Sequence, residues 1–100
     1  MAILIKANRV VEKVLPKNKK TFTLAELQEY VGGYIEIVPI EKVPHFYMRD
    51  ALMVVNEEGK LNGLPINIIA TDIYLYNHTG IMGVDTIVGD VLICKSKEIA

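Results

Sequence analysis

Apolar and polar positions along the chain separate into short runs of two different periods. Ala2–Ala7 is an apolar run rich in β-branched residues, the pattern of a buried strand. Val10–Leu15 alternates, with Val10, Glu12 and Val14 on one side and Val11, Lys13 and Leu15 on the other. Asn8-Arg9 between them reads as a tight turn, because Asn tolerates positive φ, and Pro16 closes the second run. Ala2–Leu15 therefore predicts a hairpin.

The period then changes. Thr23–Val38 reads as one helix, a two-glycine break and one strand. Thr23 caps the helix with its hydroxyl while Glu26 reaches back to the Thr23 backbone, and Phe22 with Leu27 supplies the hydrophobic staple. Leu24, Leu27 and Val31 recur at helical spacing, which predicts a stripe facing the core. Gly32 stands where a helix ends in a left-handed residue, and Gly33 turns the chain into the strand Tyr34–Ile40. Along that strand Ile35 and Ile37 share one face, and Tyr34, Glu36 and Val38 share the other.

Pro39 and Pro44 mark an edge or irregular passage, and Glu41–Arg49 is the least patterned segment. Asp50–Asn56 returns to strand composition. Glu57–Lys60 is a turn in which Gly59 is expected to take positive φ, and Asn62-Gly63 is a second turn signal. Pro65 is suited to the first position of a helix. Ile66, Ile69, Ile73 and Tyr76 or Asn77 follow helical spacing, while Ile66, Ile68 and Ala70 alternate as a strand would. Helix is the favoured reading, ending at His78-Thr79-Gly80. Thr86–Lys95 is the last strand, with Gly89 marking a bulge or a close approach. The order β-β-α-β-β-α-β predicts an α+β fold: a single domain over residues 1–100, a mostly antiparallel sheet of about five strands, and two helices on one face.

The size of 100 residues leaves room for one modest core. With 51% apolar and 23% charged residues the composition is globular rather than disordered. A net charge of −1 supplies no global field for nucleic acid or an anionic membrane. The basic run Lys17-Asn18-Lys19-Lys20 reads as a solvated loop. Cys94, the single cysteine, stands in the apolar run Val91–Cys94, so a buried, unreactive thiol and a reducing, cytoplasmic setting are expected. Lys6, Asn8 and Arg9 interrupt the first run before a signal-peptide core forms, and no run approaches a membrane helix in length.

Three motifs in order carry a family resemblance. They are Leu24-x-x-Leu27-Gln28-x-x-Val31-Gly32-Gly33-Tyr34-Ile35-Glu36, then Asn56–Leu61-x-Gly63-Leu64-Pro65-x-Asn67-x-x-Ala70-Thr71, and Ile87–Leu92. From about Leu24 to Ile93 the chain resembles a small domain family of unknown function found in bacteriophages, plasmids and the bacteria that carry them. The resemblance supports the α+β reading and a helix after Pro65. A mobile-element setting further implies action by binding, either sequestering a host signalling molecule or blocking a host protein.

Candidate chemistry is sparse. Gly32-Gly33 reads as helix stop and turn, with backbone amides approaching a phosphate as the functional alternative. Nucleotide-binding glycine loops of known spacing are missing. Tyr34 and Glu36 on one strand face are candidates to stack on and accept hydrogen bonds from a ligand; a half-exposed sheet face is the plain alternative. Asn56, Asn67, Thr71 and Asp72 are the most useful polar set. Asn67 and Thr71 are expected on one helix face, and an Asn56–Asn67 pair would lock the turn to the helix. His45 and His78 are isolated and read as surface or loop residues, so no metal site is expected. Cys94 has no local activating base and Ser96 stands in a charged tail, so neither catalysis nor a cofactor is expected. Of the five tyrosines, most read as boundary residues.

The function these readings favour is a non-catalytic phage or mobile-element protein, in the manner of counter-defence. It would capture a small nucleotide-like signal in the host cytoplasm, at the interface of a homo-oligomer, through Gly32, Gly33, Tyr34, Glu36, Asn56, Asn67 and Thr71. The alternative is an inhibitor or accessory factor that binds a host protein. Nucleic acid and membrane are not expected partners.

Overall fold

Strands Ala2–Ile5 (β1), Val11–Val14 (β2), Ile35–Pro39 (β3), Ala51–Asn56 (β6) and Val91–Lys95 (β7) form one five-stranded sheet in the order β2-β1-β7-β6-β3. These assignments come from a computed structural model, which describes residues 2–43, 48–78 and 86–100. Every neighbouring pair in the sheet is antiparallel. Lys42–Val43 (β4) and Met48–Arg49 (β5) pair as a small separate ladder within the segment that has the weakest sequence pattern. Pro44, His45, Phe46 and Tyr47, and the expected helix stop at Thr79-Gly80, lie outside the described residues.

The helices Leu24–Val31 (α1) and Ile68–Asn77 (α2) cover opposite faces of the sheet, not one face as expected. Even-numbered strand residues such as Leu4, Val54 and Leu92 pack with Phe22, Leu27 and Val31 beneath α1. Odd-numbered ones such as Ile5, Met53 and Ile93 pack with Ala70 and Ile73 beneath α2. The physical sign was in the runs themselves: a strand covered on both faces has no solvent side and loses its alternation. Val91–Cys94 is fully buried at every position, and all four residues of β1 are buried.

α1 forms as its sequence dictates. Thr23 Oγ1 accepts from the Glu26 N–H and Glu26 Oε1 accepts from the Thr23 N–H, both at 3.2 Å, while Phe22 and Leu27 join one cluster beneath the helix. The stripe is rotated from the expected one. Leu24 is 59% exposed, and Glu26 is buried with Leu27 and Val31, because Glu26 Oε2 also accepts from the Lys17 N–H at 3.0 Å.

α2 begins later than Pro65 predicts. Asn67 is its cap, accepting from the Ala70 N–H at 3.0 Å. Ile66 lies outside the helix and bridges to Val88. The Pro65 carbonyl accepts from the Gly89 N–H at 2.7 Å, which draws the proline out of the helix and into this crossing. The buried residues are Ala70 and Ile73, with Tyr76 exposed. Two turn expectations also shift: Arg9, not Asn8, takes the positive φ of 75°. Gly59 does not take positive φ; its bareness is explained by proximity, since a Cβ there would stand 2.8 Å from Val88 Cγ2.

The two edges of the sheet differ. The Glu57 N–H donates to the Tyr34 carbonyl and the Ile40 N–H to Ala51. The even residues of β3 therefore face β6, and Ile35, Ile37 and Pro39 turn their backbone outward. Pro39 has no N–H to offer there, which blunts the edge against strand addition. On β2 the Lys6 N–H to Val10 carbonyl bond and the register turn Val11 and Lys13 outward with both backbone groups intact.

Candidate functional site

The seven residues singled out by sequence separate into three places. Gly32, Gly33 and Asn56 meet at the end of α1. Both glycine N–H groups donate to the Gln28 carbonyl, at 2.8 and 3.1 Å, with Gly32 at φ 80°. The amides are spent on ending the helix, as the helix-stop reading has it, and not on the alternative of approaching a phosphate. Gly33 matters for closeness, because a Cβ there would stand 3.0 Å from Asn56 Nδ2. That amide donates to the Val31 carbonyl at 3.1 Å, and Asn56 Oδ1 accepts from the Glu58 N–H at 2.8 Å.

Asn67 and Thr71 form a second latch, separate from Asn56, so the expected Asn56–Asn67 pair is corrected. Asn67 is fully buried. Its Nδ2 donates to the carbonyls of Ile5 and Gly89, both at 2.9 Å, while its Oδ1 caps α2. Thr71 shares one face with it, one turn on, as expected: its N–H donates to the Asn67 carbonyl at 2.9 Å, and its hydroxyl accepts from the Ile87 N–H and donates to the Ile87 carbonyl. One asparagine thus ties together β1, the start of α2 and the loop before β7. Asp72 is exposed on α2.

Tyr34 and Glu36 remain. Register places Glu36 opposite Val55 and Val38 opposite Met53 on the α2 face, as the alternation predicted. Here a cleft of about 420 Å³ opens along β3, beside the C-terminal end of α2 and the approach to β7. Its apolar floor includes Val38, Val55 and Ile87, and Glu36, Glu57, Lys60 and His78 supply the charged or titratable groups. Tyr74 and His78 stack at its wall with centroids 4.4 Å apart and planes at 25°. Lys60 and Thr86 line the cleft while engaged in contacts of their own. The side-chain carboxylates of Glu36 and Glu57 have no hydrogen-bond or ion-pair partner among the described residues. Tyr34 is 65% exposed just before this strand and does not line the cleft.

A family model described as a domain of unknown function (DUF3846) matches residues 2–99. The chain belongs to that family. No curated protein and no solved structure matches it. Within this DUF3846 domain, Glu57, Tyr74 and His78 are the site residues that sequence reasoning missed. Glu57 read as a turn residue and His78 as a loop histidine, and only the β3–β6 register and the path of α2 bring them to Glu36. The one legible signal was the polar position of Glu36 in an otherwise apolar strand.

Other chemistry is confined. Burial, with the Glu98 carboxylate adding to it, pushes the Cys94 thiol up to about 12, so it stays protonated and unreactive. Among the described residues no group of three His, Cys, Asp or Glu is placed to hold a metal ion. No helix among them is long and apolar enough to cross a membrane.

Proposed function

We propose that this protein is a non-catalytic binding module that captures a small nucleotide-like molecule in the α2-side cleft. The observation that carries the reading is a pair of carboxylates, Glu36 and Glu57, that have no partner among the described residues and stand beside an apolar floor and a stacked ring pair in one concavity. Its volume of about 420 Å³ falls in the range of small-molecule sites. Buried polar groups are absorbed in capping helices and tying loops, whereas in this cleft the acceptors of Glu36 and Glu57 border apolar surface. In a phage or mobile element, capture without turnover serves counter-defence by lowering the free concentration of a host signal.

A second copy completes the site in this reading. Tyr34 just before β3 and Ile37 on its α1 side are exposed, and Pro39 directs a partner to pack side chains over the rim instead of adding a strand. Calorimetry of the wild-type protein against a panel of nucleosides, nucleotides and cyclic nucleotides tests the proposal, with native mass spectrometry reporting the assembly. Saturable binding to a defined oligomer is expected. Silence across the panel at high protein concentration overturns it.

The rival reading, a host-protein inhibitor, rests on β2, whose outward amides and exposed Val10, Val11 and Leu15 suit strand addition by a target. Pull-down with wild type and a Lys13→Pro variant discriminates: a specific partner lost in the variant favours that reading.

A further inference from the structure

We infer that the cleft selects guanine over the other bases, with the Glu36 carboxylate as the reading group. This rests on the binding role proposed above. An ionised carboxylate only accepts hydrogen bonds, through two oxygens side by side. The ligand edge that complements it carries two adjacent, parallel N–H donors. Guanine presents such an edge in its N1–H and exocyclic amine. Adenine and cytosine each set one amine donor beside a ring acceptor, and uracil flanks its single N–H with two carbonyls.

Glu36 is exposed, unpartnered among the described residues and fixed at its position by the β3–β6 register opposite Val55. Val38 and Val55 lie beside it on the same sheet face, and the Tyr74–His78 ring pair supplies a flat surface at the wall. A planar, donor-edged ring matches this juxtaposition of acceptor, apolar floor and aromatic wall. The lining also sets the charge of the ligand. Among the described lining residues two carboxylates, Glu36 and Glu57, stand against one ammonium, Lys60, so phosphates are disfavoured at the floor and left in solvent. The base, not the phosphate, carries recognition, which agrees with the loss of the Gly32-Gly33 amides to Gln28.

The test is calorimetry of the full chain, wild type and Glu36→Ala, with guanosine, adenosine, cytidine, uridine, GTP and agmatine (a non-purine source of the same donor pair). Guanosine is expected to bind at least tenfold more tightly than the other nucleosides and no more weakly than GTP. Glu36→Ala is expected to weaken guanosine roughly 10- to 100-fold, the value of hydrogen bonds to a charged acceptor, and to leave adenosine unchanged. A Glu36→Gln variant, which keeps the size and removes the charge, is expected to lose the same preference. Equal binding of all nucleosides, a preference that survives Glu36→Ala, GTP binding tighter than guanosine, or agmatine binding in place of guanosine each overturns guanine selection while leaving capture standing. Failure of every ligand overturns capture with it. Unchanged circular dichroism and urea midpoint in both variants keep a loss of binding from being read as a loss of fold.

Discussion

The two faces of the sheet carry helices of similar length and use their polar residues in opposite ways. Beneath α1, Glu26 is buried and its oxygens accept from the backbone of Lys17 and Thr23, and Asn56 closes the far end of the helix on Val31. Those polar atoms serve the fold. On the α2 face Asn67 does the same at one end of the helix, but at the other end the sheet and helix part to leave the cleft, where Glu36 and Glu57 answer to nothing in the described chain. No buried side-chain nitrogen or oxygen among the described residues lacks a partner. Polarity in this sequence thus divides into latches and an exposed remainder, and the proposed binding role rests on the remainder.

The largest effect expected in breaking that division is Asn67→Ala. It removes a cap and leaves the Ile5 and Gly89 carbonyls buried without this donor, a loss of about 3–5 kcal/mol in urea denaturation. Little change would mean that water replaces the amide and that the latch is not structural. Asn56→Ala is expected to cost about 2 kcal/mol by the same measurement, since one helix-end carbonyl loses its donor. Thr23→Ala removes a single exposed cap and costs about 1 kcal/mol.

A fourth test uses pH. Hydrogen bonds from the Lys17 and Thr23 backbones hold the Glu26 carboxyl below its usual 4.5. A carboxyl lowered in the folded state stabilises above its unfolded pKa, and that contribution fades as pH falls from there through the folded value. Wild-type stability should therefore drop more steeply below about pH 4.5 than that of Glu26→Gln, and parallel profiles would sink the assignment. The smallest effect belongs to the cleft. Glu36→Ala should change stability by no more than about 0.5 kcal/mol, as exposed substitutions do. A larger loss would move Glu36 from the remainder to the latches.

Local signals were legible wherever neighbours in sequence are neighbours in space. Thr23 and Glu26 cap one another across a single turn, Gly32 ends the helix they begin, and period-two alternation placed Tyr34, Glu36 and Val38 together. Misreadings arose where a distant segment competes for a local group. Glu26 is drawn inward by Lys17, which rotates α1 and leaves Leu24 in solvent. Pro65 is drawn by Gly89 into a crossing before α2, which hands the cap to Asn67. Asn56 and Asn67, expected to pair, each take backbone carbonyls from other elements because those are the unmet acceptors at their positions.

Sequence pattern alone was enough for the five strands of the main sheet, for α1 and for its capping box, and left helix against strand open after Pro65, because periodicity and capping are governed by residues within one or two turns of each other. Tertiary structure alone decided that the helices lie on opposite faces, that the glycine amides belong to Gln28, and that Glu36, Glu57, Tyr74 and His78 share a cleft. These depend on register and on chain paths of tens of residues, where burial of apolar area and satisfaction of backbone groups are settled by the whole molecule.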